Sequence, residues 1–112
     1  MKLYHNPTCS KSRGAVDILN EKGVKYEVRN IVEQPLSVKE ISELLQKLKI
    51  NLEDLVRTNE LIYKEKIEEK FLSEAEILEI LSENPSLIQR PILEVGERAV
   101  IARPLERIND FL

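Results

Sequence analysis

The chain contains a single cysteine, Cys9, within the stretch NPTCSKSRG at residues 6–14. Sequence pattern predicts that Cys9 lies where a first strand ends and a helix begins. Unpaired N–H groups at a helix start carry partial positive charge, so they stabilise a thiolate and lower its pKa below the free value of about 8.5. Lys11 and Arg13 add cationic charge nearby, and the same helix start can hold an oxyanion. These features predict a nucleophilic thiolate that attacks an oxyanion. A small cysteine buried in the core fits the position alone equally well, but the polar and basic neighbours favour the nucleophile.

Two arginines are predicted to face each other at the open end of a β-hairpin. The strands PILEV and RAVIA flank Gly96, and a glycine first in a two-residue loop suits a type II′ turn. Pairing Val95 with Arg98 across this turn places Arg90 opposite Arg103. Like charges in that position are destabilising, and an anion held between two guanidinium groups would offset the repulsion. The alternative is a pair of solvated arginines at strand ends.

A proline follows each of these arginines, in RPI and RPL. Pro91 and Pro104 restrict the local backbone, which favours a defined placement of the side chains before them. Either isomer of the bond before Pro91 is compatible with the sequence. Arg57, in LVRTNE, is a third candidate anion ligand, and on its own it also fits an ordinary arginine at a helix end.

The first third of the chain reads as a strand, a helix and a second strand. MKLYH is a short strand, and residues 10–22 show the apolar spacing of a helix that stops at Gly23. KYEVRNI alternates like a strand. A βαβ unit of this kind requires two parallel strands.

The middle of the chain is predicted to be helical. Ser37 with Glu40 and Ser73 with Glu76 form capping boxes, and NLEDLVRTNELIYKEK between them fits one or two short helices. After the hairpin, Pro104 suits the first position of a final helix. This order predicts an α/β thioredoxin-like fold with a mixed four-stranded sheet. No composition shift marks a boundary, so we expect one domain over residues 1–112, with the helices covering the sheet.

Four separated motifs carry a family resemblance that spans essentially the whole chain. In order and spacing, YHNPTCSKSR, LVRTNE, IQRPI and ARPLE resemble the glutaredoxin-linked arsenate reductases (ArsC) of the thioredoxin-like ArsC/Spx superfamily. The resemblance implies that Cys9 is the nucleophile. It also implies that Arg57, Arg90 and Arg103 bind the arsenic oxyanion and stabilise the arsenylated cysteine.

The same resemblance implies supporting roles for three residues around the cysteine. His5 matches a histidine that the family associates with thiolate activation, and a strand-end histidine with a structural hydrogen bond is the alternative. Ser12 is expected to donate a hydroxyl hydrogen bond to the thiolate. Arg13 is expected to supply local positive charge.

A second branch of the superfamily offers an alternative function. VRNIVEQPLSVKEI resembles the Spx-type transcription regulators, which share the fold and bind RNA polymerase. Those regulators typically carry a CxxC switch, where this chain has Cys9 and Ser12, and they lack an arginine at the position of Arg103. An ArsC-like thiol protein with another substrate is a further alternative. The phosphatase-like arsenate reductases need C-x5-R, and Ala15 stands where that arginine would be.

Composition restricts the partners. The net charge of −3, from 17 basic and 20 acidic side chains, provides no general attraction to nucleic acid or to anionic membranes. No apolar run approaches the length of a membrane span. One cysteine cannot form an intramolecular disulfide, which favours the cytoplasm, and one cysteine with one histidine argues against a metal site. An oxidised Cys9 has no internal resolving thiol. The lone cysteine therefore predicts an external reductant. The family resemblance implies arsenate as substrate, glutathione as co-substrate and glutaredoxin as partner. We also expect no bound cofactor and a monomer.

Overall fold

The computed structural model describes residues 1–112. Its four strands are β1 (Lys2–His5), β2 (Glu27–Asn30), β3 (Ile92–Val95) and β4 (Arg98–Ile101), and they form one mixed sheet in the order β2-β1-β3-β4. β1 pairs with β2 in parallel and with β3 in antiparallel orientation, and β3 pairs with β4 in antiparallel orientation. The predicted mixed four-stranded sheet is confirmed.

Five α-helices and two 3₁₀ segments complete the secondary structure. Two short helices occupy the stretch in which one or two were expected, and none of the helices is both long and apolar enough to cross a membrane. The helices are α1 (Ser10–Glu21), α2 (Val38–Leu48), α3 (Leu52–Leu55), α4 (Leu61–Lys66) and α5 (Glu74–Glu83), with 3₁₀ segments at Pro85–Leu87 and Leu105–Phe111.

The chain divides into two compact units. The first, here called the sheet unit, consists of Met1–Gln34 together with Arg90–Leu112. The second, here called the helical unit, is Pro35–Gln89. The expectation of one domain in which the helices cover the sheet stays a prediction.

A fully buried cluster on one face of the sheet holds the sheet unit together. Leu3 of β1 lies opposite Leu93 of β3, and Ala15 and Leu19 of α1 pack against them. Ile108 of the C-terminal 3₁₀ helix joins the same cluster. Burial of each large side chain contributes about 1.5–3 kcal/mol. This packing fixes α1 against the sheet and sets its first turn beside the end of β1.

The hairpin has the predicted turn and register. Gly96 has a φ of 61°, whereas Glu97 does not have a positive φ, which fits a type II′ turn rather than a type I′ turn. Val95 pairs with Arg98, and three residues further along the ladder Ile92 pairs with Ile101. Beyond the ladder, the bonds Arg90-Pro91 and Arg103-Pro104 are both cis.

The final helix differs from the prediction in two respects. It is a 3₁₀ helix over Leu105–Phe111, and Pro104 is its N-cap, with φ −67° and ψ 161°, rather than its first helical residue. Tertiary packing explains part of the difference, because Leu105 lies against α1. A Cβ added to Gly14 would be 2.7 Å from Leu105 Cδ1, so the glycine permits this close approach.

Both predicted capping boxes are present in the helical unit. Ser37 Oγ accepts a hydrogen bond from the Glu40 N–H at 3.1 Å, and the Glu40 carboxylate accepts one from the Ser37 N–H at 3.0 Å. Ser73 and Glu76 repeat the arrangement at 3.2 Å in both directions. These bonds satisfy donors that a helix start otherwise leaves unpaired.

Candidate active site

Cys9 is the N-cap residue of α1, directly after a turn that follows β1. Its φ of −94° and ψ of 122° are extended, and its carbonyl accepts the hydrogen bond of the Arg13 N–H at 3.1 Å. The Cys9 N–H donates to the Asn6 carbonyl at 3.0 Å, which closes the turn. Cys9 is half-buried and is not a member of the core cluster. The predicted position at the strand–helix junction is confirmed.

The environment of the Cys9 sulfur favours the thiolate. Burial is the largest single effect, and it raises the pKa. Hydrogen bonds from the Ser12 N–H, the Arg90 side chain and the Lys11 N–H, together with the Arg90 charge, outweigh it and lower the pKa of the Cys9 thiol to about 7. A substantial fraction of the thiol is therefore ionised at neutral pH.

The two hairpin arginines meet at this sulfur. Arg103 Nη2 donates to Cys9 Sγ at 3.5 Å, and Arg103 Nε donates to the Arg90 carbonyl at 2.7 Å. The Arg90 side chain is buried and also forms a hydrogen bond with Cys9. The sulfur gives the two guanidinium groups an anionic partner, which offsets their mutual repulsion.

Ser12 contributes in a way that corrects the expected role. Its side chain is fully buried, and its hydroxyl accepts a hydrogen bond from the Asn6 N–H at 3.3 Å. The Ser12 backbone N–H, rather than the hydroxyl, donates to the Cys9 sulfur. The hydroxyl is engaged with the preceding turn because that turn folds back over the first turn of α1.

His5 ends β1 and is half-buried. Its Nδ1 is buried without a hydrogen-bond partner, so the alternative of a structural hydrogen bond at that atom is not observed. Burial and then the charge of Arg13 lower the pKa of His5, which keeps the imidazole neutral at pH 7. The positive charge of Arg13 therefore acts on His5, and a role for His5 in thiolate activation stays a prediction.

Arg57 belongs to the helical unit. It follows α3, and its Nη1 lies 3.0 Å from a Glu60 carboxylate oxygen. Its backbone N–H donates to the Leu87 carbonyl at 2.7 Å, next to the isolated bridge between Val56 and Ile88. The residue therefore lies directly after the C-cap of α3, as expected for an arginine at a helix end, and its role as an oxyanion ligand stays a prediction.

A cavity of about 710 Å³ lies within the helical unit. It is lined by residues of α2 to α5 and the segments between them, among them Leu45, Ile50, Tyr63 and Ile77. Arg57 is not among its lining residues, although the neighbouring Thr58 is. None of the three predicted oxyanion ligands therefore lines this cavity.

One residue of the site was not predicted from the sequence. Asn6 is buried, and it forms hydrogen bonds with Thr8, Cys9 and Ser12. The Asn-Pro dipeptide at residues 6–7 is a turn signal that could have identified it.

The arrangement can perform nucleophilic chemistry on an anion. An ionisable sulfur lies at a helix start between two guanidinium groups, so an oxyanion that approaches it meets hydrogen-bond donors and a nucleophile together. No group of three or more His, Cys, Asp or Glu side chains is arranged to hold a metal ion.

The sheet order and the cysteine at the start of α1 define a protein of thioredoxin-like fold. The model of the ArsC family matches residues 4–111. An arsenate reductase of Haemophilus influenzae is 36% identical over 112 residues, which cover 98% of this chain and 97% of that protein. A solved structure of an arsenate reductase from Vibrio cholerae superposes with a TM-score of 0.94 at 34% identity, covering 100% of this chain and 98% of that chain. The chain belongs to the ArsC family.

The second resemblance also has a counterpart among known proteins. The global transcriptional regulator Spx of Streptococcus agalactiae is 32% identical over 111 residues. The match covers 98% of this chain and 81% of the regulator.

Proposed function

We propose that the protein is an arsenate reductase that uses Cys9 as its nucleophile. The observation that carries the proposal is the hydrogen bond between Arg103 Nη2 and Cys9 Sγ, beside a buried Arg90 that also binds the sulfur. A thiolate at a helix start with two adjacent guanidinium groups suits attack on a tetrahedral oxyanion. Relatives named arsenate reductase, at about a third identity over their full length, support the substrate.

The reaction begins with arsenate at the start of α1. The Cys9 thiolate attacks arsenic, a sulfur–arsenic bond forms, and one arsenic oxygen leaves as water or hydroxide. Arg90 and Arg103, with Arg57 as the third proposed ligand, stabilise the remaining negative oxygens. Arsenic is still As(V) at this stage, because exchange of an oxygen ligand for the thiolate does not change its oxidation state.

Reduction follows when external thiols take part. Glutathione attacks the thiol-bound arsenic and displaces a second oxygen as water. A glutaredoxin thiolate then attacks the glutathione sulfur, a mixed disulfide forms, and the electron pair of the broken sulfur–arsenic bond stays on arsenic, which changes from As(V) to As(III). Water replaces Cys9, and arsenite leaves. With one cysteine in the chain, the protein itself supplies no resolving thiol.

The proposal extends to the setting in which the protein works. It includes a monomer without a bound cofactor, located in the cytoplasm where reduced glutathione is available. The lone cysteine supports this setting, because each turnover then depends on an external thiol pool.

The test is arsenite production by the purified protein with arsenate, glutathione and glutaredoxin. We expect turnover with the complete system, and no turnover without thiols or with Cys9→Ser. Sustained turnover without added thiol would contradict an external reductant. The absence of turnover with glutaredoxin and with several other thiol systems would exclude the reductase.

The alternative function is that of an Spx-type regulator that binds RNA polymerase, and the Spx relative supports it. Ser12 in place of a second cysteine and the Arg103 contact with the sulfur favour the reductase. A pull-down of RNA polymerase with the purified protein distinguishes the two. Reduction of a different oxyanion by the same assay would support an ArsC-like thiol protein with another substrate.

A further inference from the structure

The turn between β1 and α1 is organised around one buried side chain. Asn6 is 5% exposed, and its side-chain Oδ1 accepts two hydrogen bonds from Thr8, at 3.0 Å from the N–H and at 2.7 Å from the hydroxyl. The main chain of Asn6 makes two further bonds. Its carbonyl accepts from the Cys9 N–H at 3.0 Å, and its N–H donates to Ser12 Oγ at 3.3 Å.

These four bonds connect Asn6 to the residues before and after the nucleophile and to the nucleophile itself. Thr8 immediately precedes Cys9, and Ser12 lies one helical turn after it, so Asn6 is bonded on both sides of the cysteine and to the cysteine itself. The Cys9 N–H is occupied by the Asn6 carbonyl, whereas the N–H groups of Lys11 and Ser12 donate to the sulfur. The direction of the Cys9 side chain thus depends on the turn that Asn6 closes.

We propose that Asn6 is a positioning residue: its side chain fixes the turn through Thr8, its main chain bonds to Cys9 and Ser12, and the Cys9 sulfur is thereby held against the N–H groups of Lys11 and Ser12. This inference deepens the proposed function, because it assigns the reactivity of the nucleophile to a residue that touches neither substrate nor sulfur. Asn6 places neither a charged group nor a hydroxyl group next to the sulfur. The effect is geometric, since a hydrogen bond weakens steeply as its distance and angle depart from the optimum.

A matched control residue lies in the same sheet. Asn30 ends β2, and its Oδ1 accepts hydrogen bonds from the N–H groups of Val32 and Glu33 at 3.0 and 3.1 Å. It therefore closes a turn after a strand in the same manner as Asn6, but its side chain bonds to residues 32 and 33 rather than to the cysteine turn. Asn30→Ala removes a comparable number of bonds without altering the cysteine turn.

The decisive pair of variants is at Thr8, which is exposed. Thr8→Val removes the hydroxyl that donates to Asn6 Oδ1 but retains the shape of the side chain, and Thr8→Ser retains the hydroxyl. Arg90 and Arg103, which contact the sulfur from the open end of the hairpin, are unchanged in both variants. Any change in thiol reactivity is then assigned to the turn rather than to charge.

The experiment measures the rate of iodoacetamide alkylation of Cys9 from pH 5 to 10 in the full folded chain, with the single adduct counted by intact mass. An increase of about one unit in the thiol pKa lowers the thiolate fraction at pH 7 about fivefold. We expect a fall of about this size for Asn6→Ala and a smaller fall in the same direction for Thr8→Val. Thr8→Ser and Asn30→Ala should keep the wild-type midpoint.

Three results would overturn the proposal: a wild-type midpoint in Thr8→Val, a Thr8→Ser midpoint equal to that of Thr8→Val, or an equal shift in Asn30→Ala. If Asn6→Ala does not fold, the two Thr8 variants decide alone. The measurement needs no arsenate, so a failed reductase assay would leave this inference intact, and an active enzyme with an unchanged Thr8→Val midpoint would refute only this inference.

Discussion

The Arg103 guanidinium is divided between two acceptors, with Nη2 3.5 Å from Cys9 Sγ and Nε donating to the Arg90 carbonyl at 2.7 Å. The bond to the carbonyl fixes the plane of the guanidinium. The orientation of the group at the sulfur is therefore set by the backbone of the segment that precedes β3. The Arg90 carbonyl positions the Arg103 guanidinium, and both side chains form hydrogen bonds with the sulfur.

This division predicts that Arg103→Lys will not replace arginine. Lysine keeps the charge, but its single nitrogen cannot serve the carbonyl and the sulfur with the fixed fork of a guanidinium. A hydrogen bond to a charged group contributes about 1.5–3 kcal/mol, so we expect oxyanion affinity to fall roughly tenfold or more. Calorimetric titration of Arg103→Lys and of the wild type with arsenate and with sulfate measures this affinity.

The control for that variant is Arg98→Lys, at the other end of β4. Arg98 lies over the Phe111 ring at 4.3 Å and should leave oxyanion affinity unchanged. Equal affinity in Arg103→Lys and in the wild type would show that charge alone, rather than orientation, binds the anion.

Arg90→Met should raise the pKa of the Cys9 thiol. Arg90 acts on the sulfur through both a hydrogen bond and its charge, and methionine keeps an unbranched side chain of similar length in the buried position. We expect the alkylation midpoint to move upward from about 7, toward the ordinary value of about 8.5. Arg98→Met is the control. An alkylation midpoint in Arg90→Met that stays near the wild-type value would show that the start of α1 alone lowers the pKa of the thiol.

The thiol should also make folding stability depend on pH. Because the folded pKa of about 7 lies below the unfolded value of about 8.5, the folded state favours the thiolate. The contribution is fully present above about pH 8.5 and is lost as the pH falls through 7. Urea unfolding of the wild type and of Cys9→Ser should therefore give a difference in stability that shifts in favour of the wild type between pH 6.5 and 9.

Comparison with Cys9→Ser cancels the other titrating groups, including His5, whose lowered pKa affects both proteins in the same way. A difference in stability that is constant across this range would mean that the thiol has the same pKa in the folded and unfolded states.

Truncation of a side chain in the buried cluster should lower the free energy of unfolding strongly, although the cluster does not include Cys9. Leu19 of α1 is completely buried, so Leu19→Ala should lower the free energy of unfolding by about 2–5 kcal/mol. Val28 of β2 is 50% exposed, and Val28→Ala should cost much less. Urea unfolding at pH 7 compares the two. Similar costs for both would show that α1 is not held against the sheet by this cluster.

The features that the sequence predicts correctly depend on residues that are close together in the chain. Gly96 limits the turn type, and the turn type sets the register that brings Arg90 to Arg103. The capping boxes at Ser37 and Ser73 involve residues three apart, so they are also visible in the sequence.

Other features depend on atoms that only folding brings together. The Ser12 hydroxyl accepts a hydrogen bond from the Asn6 N–H, six residues earlier, because the turn between β1 and α1 folds back over the helix start. The 3₁₀ form of the last helix involves Leu105 against Gly14, a contact between residues far apart in the chain. A sequence pattern carries no direct signal for either.

The sheet unit is built from the two ends of the chain, and the bond between Arg103 and Cys9 joins residues 94 positions apart. During synthesis, Cys9 leaves the ribosome well before Arg90 and Arg103. A nascent chain that has reached Gln89 contains the nucleophile and all of the helical unit, but it lacks Arg90, Arg103 and both strands of the hairpin. Its β1 has only β2 as a neighbour. The two arginines that act on the thiolate therefore join it only when translation has passed residue 103.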